Sequence, residues 1–191
     1  MEHIYENIQG WATYLKFYKS IVTNARDGDH IVEVGAWKGR SASYLAVEIA
    51  NSGKHIRFDC VDTWKGSDEH QEGNFAYDPI VSTKGALLQH FTDNIKPVRD
   101  YINPVQSTSV EAAGLYANRS LDVVFIDAAH DYDSVVEDIT LWLPKVKKGG
   151  ILAGHDINYF EGVRRAIAEK FTDTENLTLD HEQDIWIYNK K

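Results

Sequence analysis

Four short segments hold residues that could act on a ligand together. The first runs Glu33-Val34-Gly35-Ala36-Trp37-Lys38-Gly39, an acid and two glycines around a tight turn. A dinucleotide fingerprint, G-x-G-x-x-G, needs its middle glycine so that the backbone can approach a pyrophosphate. Trp37 stands at that position and Arg40 at the last one, so nicotinamide and flavin dinucleotides are disfavoured. Lys38-Gly39-Arg40-Ser41 does not fit a phosphate loop either. The remaining pattern, E-x-G-x-x-x-G, suits a nucleoside that carries an amino-acid tail and no phosphate. Glu33 would oppose the tail's ammonium, directly or through water, and the loop's backbone would lie against the ligand. The alternative is a glycine turn that serves only to pack helix on strand.

The second segment is Asp62-Thr63-Trp64. A carboxylate at the end of a second strand is where a ribose diol finds its acceptor, and Trp64 offers an apolar face for an adenine. Ser107, with Thr108 and Ser109, could meet the adenine edge. The third and fourth segments, Asp127-Ala-Ala-His130 and His155-Asp156, bring carboxylates and imidazoles that could move protons or hold a cation.

For these residues to meet, each must follow a strand of one sheet. His30–Gly35 is a short β-branched run, and Leu45 and Ile49 mark a helix over 41–50. Ile56–Val61 reads as a second strand. Residues 65–83 show no periodicity and form the one long loop, of a kind that is usually a functional lid or disordered. A helix over 85–95 precedes Pro97, and a weak strand lies near 102–106. Leu121–Ile126 is continuously apolar, as a strand covered on both faces should be. Ser134 and Glu137 have the capping-box spacing for a helix that Pro144 closes. Gly149-Gly150 turns into a strand at 151–153. Val163, Ile167 and Phe171 share a helix face, and two strands end the chain near 177–179 and 185–188. Ahead of all this, Ile4, Ile8, Trp11, Leu15, Tyr18 and Val22 fall on one helical face, so residues 1–27 read as a helical preface to a core over 28–191. Strands alternating with helices imply a parallel sheet with helices on both faces and a ligand at the carboxyl ends of the strands.

Composition narrows the class. The 191 residues suit one domain, 20 Lys plus Arg against 29 Asp plus Glu give a net charge of −9, and Cys60 is the only cysteine. A net anion without a basic cluster is a poor nucleic-acid binder. A single cysteine excludes an intrachain disulfide and fits a reducing, cytoplasmic setting. The acidic N-terminus lacks a signal-peptide pattern, and no apolar run approaches the ~18 residues of a membrane span.

EVGAWKGRS, VDTW and FIDAAHDYDSVVEDI followed by KKGGILAGHD resemble class I S-adenosylmethionine-dependent methyltransferases, and among them methyltransferase family 24. That family is related to catechol-type and macrolide-sugar O-methyltransferases. The resemblance covers roughly residues 28–191. It implies a Rossmann-like three-layer α/β sandwich whose seven-stranded sheet is mostly parallel with an antiparallel last strand. It implies S-adenosylmethionine as cofactor, contacted by Gly35, Gly39 and Asp62, with Glu33, Ala36, Trp37, Ser41, Thr63 and Trp64 close by. It also implies methyl transfer to an oxygen of a small-molecule acceptor.

The catechol-type relatives place a metal-binding aspartate where this chain has Asp127 and a basic lysine where it has His130. Their second and third ligands, an Asp-Asn pair, fall on His155-Asp156, so the chain departs from that pattern at two ligands and at the base. The resemblance therefore implies His130 and Asp127 as catalytic residues and Asp127, His155 and Asp156 as ligands of a divalent cation, Mg²⁺ or Mn²⁺. A physical motive supports the cation, since two carboxylates at adjacent strand ends repel unless a cation or a proton lies between them. The alternative is a direct His155–Asp127 hydrogen bond. A hydroxylase-like relative and a non-catalytic S-adenosylmethionine-binding protein are the rival functions. The amphipathic preface could serve a homo-oligomer as readily as its own core.

Overall fold

The computed structural model describes residues 1–191. Seven strands form one sheet: β1 (His30–Val34), β2 (Arg57–Asp62), β3 (Asn103–Gln106), β4 (Leu121–Ile126), β5 (Val146–His155), β6 (Leu177–Asp180) and β7 (Ile185–Asn189). Their order is β3-β2-β1-β4-β5-β7-β6. The first five pair in parallel, and β7 runs antiparallel to both β5 and β6.

Helices α1 (Leu15–Asn24), α2 (Arg40–Ser52) and α3 (Ala86–Ile95) cover one face, with α4 (Ser109–Ala113), α5 (Tyr132–Trp142) and α6 (Glu161–Lys170) on the other. The period-2 pleat divides the strands between two cores. Ile31, Phe58, Cys60 and Phe125 face α1–α3, while Val32, Val34, Val61, Val124 and Ile126 face α4–α6. The three-layer sandwich with an antiparallel last strand is thus the architecture observed.

Three local expectations change. The preface is not one helix: a 3-10 turn spans Tyr5–Asn7, and α1 begins only at Leu15. Gly10 adopts φ +145, a backbone outside the helical region, so the repeat of Ile4, Ile8 and Trp11 does not continue into α1. Instead residues 1–14 run from α2, where His3 stacks on Tyr44 at 4.4 Å, across the carboxyl ends of the strands to α1. The helix after β4 is capped by Asp131, whose carboxylate accepts the Ser134 N–H at 3.0 Å, so Ser134 lies inside the first turn. Lastly, β5 starts at Val146 and passes through Gly149-Gly150, with a register shift opposite Leu121–Val123.

Candidate active site

The strand order reverses between β1 and β4, and connections leave the two strands toward opposite sides, which opens a crevice at their carboxyl ends. A cavity of about 540 Å³ lies there. Gly35, Ala36, Trp37, Arg40 and Ser41 form one wall, and Asp127, His130, His155 and Asp156 form the floor. Gly10, Trp11 and Thr13 come from the N-terminal segment, and Glu69, His70, Phe75 and Ala76 from the 65–83 loop. The loop thus sits where a lid would.

Asp62, Thr63, Trp64, Gly39, Glu33 and Ser107 do not line this cavity. Asp62 faces loop backbone: Oδ2 accepts the N–H groups of Ala36 (2.9 Å) and Trp37 (2.8 Å), and Oδ1 accepts that of Trp64 (2.7 Å). Burial pushes its carboxyl up, and these three N–H groups hold it down. Trp64 is 3% exposed, packs on Phe91 and donates Nε1–H to the Trp37 carbonyl at 3.0 Å, so it is a core residue and offers no adenine face. A Cβ on Gly39 would meet Phe91 and Ile95 of α3, so that glycine serves helix packing. Thr63 accepts the Lys65 N–H, and Ser107 donates its N–H to the Asp62 carbonyl. Above Trp37, the imidazole of His70 stacks on the indole at 4.0 Å, and Asp78 pairs with Lys38.

Glu33 is fully buried behind the wall and does not line the cavity, so it makes no direct contact there. Its carboxylate takes the Tyr18 hydroxyl at 2.7 Å and lies 3.6 Å from Cys60 Sγ. Burial pushes it up to about 7, against hydrogen bonds from Ser41 and Tyr18 that hold it down. Its ordinary value is 4.5, so between these two pH values the folded state keeps a proton that the unfolded state has released. Stability then falls as pH rises through that window, by about 3–4 kcal/mol in all at ~1.4 kcal/mol per unit. Glu33→Gln is expected to flatten that slope in urea titrations at pH 5, 6, 7 and 8. A slope unchanged in the variant would remove Glu33 as its source.

The floor gathers the residues read from the third and fourth segments. His130 lies between Glu69 (Nδ1 to Oε2, 3.1 Å) and Asp156 (Nε2 to Oδ2, 2.7 Å), with its ring stacked on Phe160. Burial pulls its pKa down, but hydrogen bonds to Asp156 and Glu69 outweigh that and raise it to about 10. The two flanking carboxylates thus favour its charged form. His155 Nδ1 is 3.3 Å from Asp127 Oδ1 and 3.3 Å from Asp156 Oδ2. Burial opposes its protonation, yet Asp127 and Asp156 raise it to about 10. The two imidazoles hold Asp156 well below the usual carboxylate range despite its burial.

Two sets of ligand atoms lie within 4.8 Å of one another, Asp127–His130–Asp156 and His155–Asp156–Asp184. Carboxylate oxygens joined by an imidazole nitrogen fit a hard or borderline divalent cation, and these residues fit one. The first set holds His130 beside Asp127 and Asp156, and the second holds His155 beside Asp156 and Asp184.

Four contributors were not read from the sequence: Thr13, Tyr14, Glu69 and Asp184. Tyr14, fully buried, donates its hydroxyl to Asp127 Oδ2 at 2.7 Å. Asp184 precedes β7, and its carbonyl accepts the Asp156 N–H at 2.8 Å. Topology could have found it, because the residue before an antiparallel last strand must lie beside the end of its neighbour β5. Nothing in spacing marks Thr13, Tyr14 or Glu69.

The fold and crevice are those of the class I methyltransferases. Residues 32–157 match the model of a methyltransferase domain family, and the chain belongs to that family, methyltransferase family 24. The uncharacterised protein y4gI of Sinorhizobium fredii is 26% identical over 154 residues, which are 81% of this chain and 16% of that protein. The chain therefore spans about a sixth of that relative's length. Among solved structures, the O-methyltransferase NovP is 19% identical with a TM-score of 0.66, over 94% of this chain and 80% of its own. Cofactor-bound Rv0187 from MTB is 17% identical, TM-score 0.62, over 95% and 81%. Fibrillarin from Aeropyrum pernix, with natively bound S-adenosyl-L-methionine, is 15% identical, TM-score 0.55, over 93% and 75%. At such identities the likeness is one of fold. No helix is long and apolar enough to cross a membrane.

Proposed function

We propose that the protein transfers the methyl group of S-adenosylmethionine to a hydroxyl oxygen of a small-molecule acceptor. The observation that carries this reading is the convergence of Asp127, His130, His155 and Asp156 in one cavity with the β1 loop. The cofactor's sulfonium and amino-acid tail are assigned to the wall of Gly35, Ala36, Trp37 and Ser41. Its adenosine half is assigned to the Trp37 side, where His70 must leave the indole to admit it. A lone pair on the acceptor oxygen attacks the methyl carbon, the carbon–sulfur bond breaks, and its electron pair stays on sulfur as a neutral thioether. The hydroxyl proton passes to Asp127 Oδ1, the oxygen that the Tyr14 hydroxyl leaves facing the cluster, 3.3 Å from His155 Nδ1. His130, held as an imidazolium between Glu69 and Asp156, lends positive charge to the cavity where the acceptor oxygen loses its proton. Phe75, Ala76 and Glu69 close over the reactants and exclude water. A divalent cation, where bound, would be held by Asp127, Asp156 and an imidazole, and would supply further charge at the acceptor oxygen. The cavity volume and the net charge of −9 support a small acceptor over a nucleic acid.

Calorimetry with S-adenosylhomocysteine and NAD tests the cofactor. The nucleoside thioether is expected to bind at least ~100-fold more tightly, about 2.7 kcal/mol, and to change tryptophan fluorescence as His70 leaves Trp37. Equal affinities, or no binding of the thioether, would refute the assignment.

A further inference from the structure

We infer that Thr13 is a positioning residue that fixes which nitrogen of His155 faces the carboxylates, through a relay from His155 Nε2 to Thr13 Oγ1 to the Gln183 carbonyl. The inference rests on the proposed cation at the Asp127–Asp156 cluster. Thr13 Oγ1 lies 2.7 Å from the Gln183 carbonyl oxygen and 2.8 Å from His155 Nε2. A threonine hydroxyl has one hydrogen, and a carbonyl oxygen has none to offer. At 2.7 Å the two oxygens would repel without a hydrogen between them, so Thr13 donates to Gln183. It follows that His155 Nε2 meets a hydroxyl lone pair and must itself carry a hydrogen.

The other nitrogen is then the one that can change partners. Nδ1 stands 3.3 Å from Asp127 Oδ1 and 3.3 Å from Asp156 Oδ2, so once it gives up its hydrogen its lone pair faces a cation held by either carboxylate. The surroundings reinforce the choice. Asp184 Oδ2 lies 3.8 Å from Nε2, where a carboxylate favours a nitrogen bearing hydrogen. Gln183 is itself fixed, its side-chain oxygen accepting the Phe17 N–H at 2.8 Å. Tyr14, the next residue, does for Asp127 what Thr13 does for His155, because its hydroxyl occupies Oδ2 and leaves Oδ1 toward the cluster. Two consecutive side chains from the turn just before α1 thus pin the outer atoms of two candidate ligands. Outer partners of this kind orient an imidazole ligand and set its tautomer.

The test uses the full chain and Zn²⁺ as a diamagnetic probe, with Thr13→Val (same shape, no hydroxyl) and Thr13→Ser (hydroxyl kept). Calorimetry is expected to show Zn²⁺ binding ~10- to 100-fold weaker in Thr13→Val and restored in Thr13→Ser. Nitrogen-15 histidine spectra of the Zn²⁺-loaded wild type should show His155 with hydrogen on Nε2 and metal on Nδ1. Equal affinity in Thr13→Val overturns the role of Thr13 and leaves the cation reading standing. A wild-type spectrum with hydrogen on Nδ1 overturns it even if Thr13→Val fails to fold. A wild type that binds neither Zn²⁺ nor Mn²⁺ overturns the cation reading, and this inference with it.

Discussion

Asp127→Asn is expected to slow methyl transfer on the order of 1,000-fold, about 4 kcal/mol of transition-state stabilisation, while S-adenosylhomocysteine affinity changes less than about threefold. The asymmetry follows from the position of the carboxylate. Oδ2 is held by the Tyr14 hydroxyl and Oδ1 faces the cluster, 3.3 Å from His155. An asparagine keeps the Tyr14 bond by turning its carbonyl oxygen that way. Its amide hydrogens then point at His155 and the acceptor, where a proton must be received. Single-turnover rates with labelled cofactor, beside calorimetry on the same variant, would separate the two effects. A rate within tenfold of wild type would show that Asp127 does not meet the acceptor.

Gly35→Ala should be the most damaging single change for the fold. A Cβ there would lie 1.9 Å from the Asp127 carbonyl oxygen and 2.5 Å from its carbon, at φ +94. Both neighbours are backbone, and the next hydrogen bond, from the Asp127 N–H to the Val34 carbonyl at 2.7 Å, ties the same two strand ends together. Relief requires parting β1 from β4. A loss above ~4 kcal/mol is expected, a large share of the 5–15 kcal/mol of a whole domain. Gly73→Ala supplies the comparison, since it shares a positive φ but has nothing within 4 Å, and should cost only ~1–2 kcal/mol. Denaturant melts of the two variants check the difference. Similar losses would mean that backbone conformation, and not crowding, makes Gly35 necessary.

The strands were legible because burial on both faces leaves continuous apolar runs, as at Leu121–Ile126, and the floor residues were legible because they end two such runs. The wall was harder to read. Glu33 looks like a ligand contact from its motif, but the pleat puts it on the same face as Ile31, beneath Tyr18 and Ser41. Asp62 stands at the right strand end, yet no spacing reveals that three neighbouring N–H groups use its carboxylate. Of the helical repeat from Ile4 to Val22, Ile8, Tyr18 and Val22 are buried, while Trp11 is 57% exposed. Burial by a strap and burial by a helix write the same pattern, and Gly10 was the residue that distinguished them. Glu69 and Thr13 act through contacts 61 and 142 residues away, and no local pattern encodes those.

The strap over the strand ends also dictates when the site comes into being. Thr13 bonds the carbonyl of Gln183, 170 positions later in the chain. At ~5–20 residues per second on the ribosome, roughly 9–34 s separate the synthesis of the two partners. Until then the sheet lacks β7, the strand that follows Gln183 and covers the free side of β5. The first fourteen residues thus have no finished surface to lie across, and Trp11, Thr13 and Tyr14 wait beside a half-built nascent chain. A ribosome stalled before residue 183 would hold a nascent domain with its β1 loop in place and the floor of its cavity still unassembled.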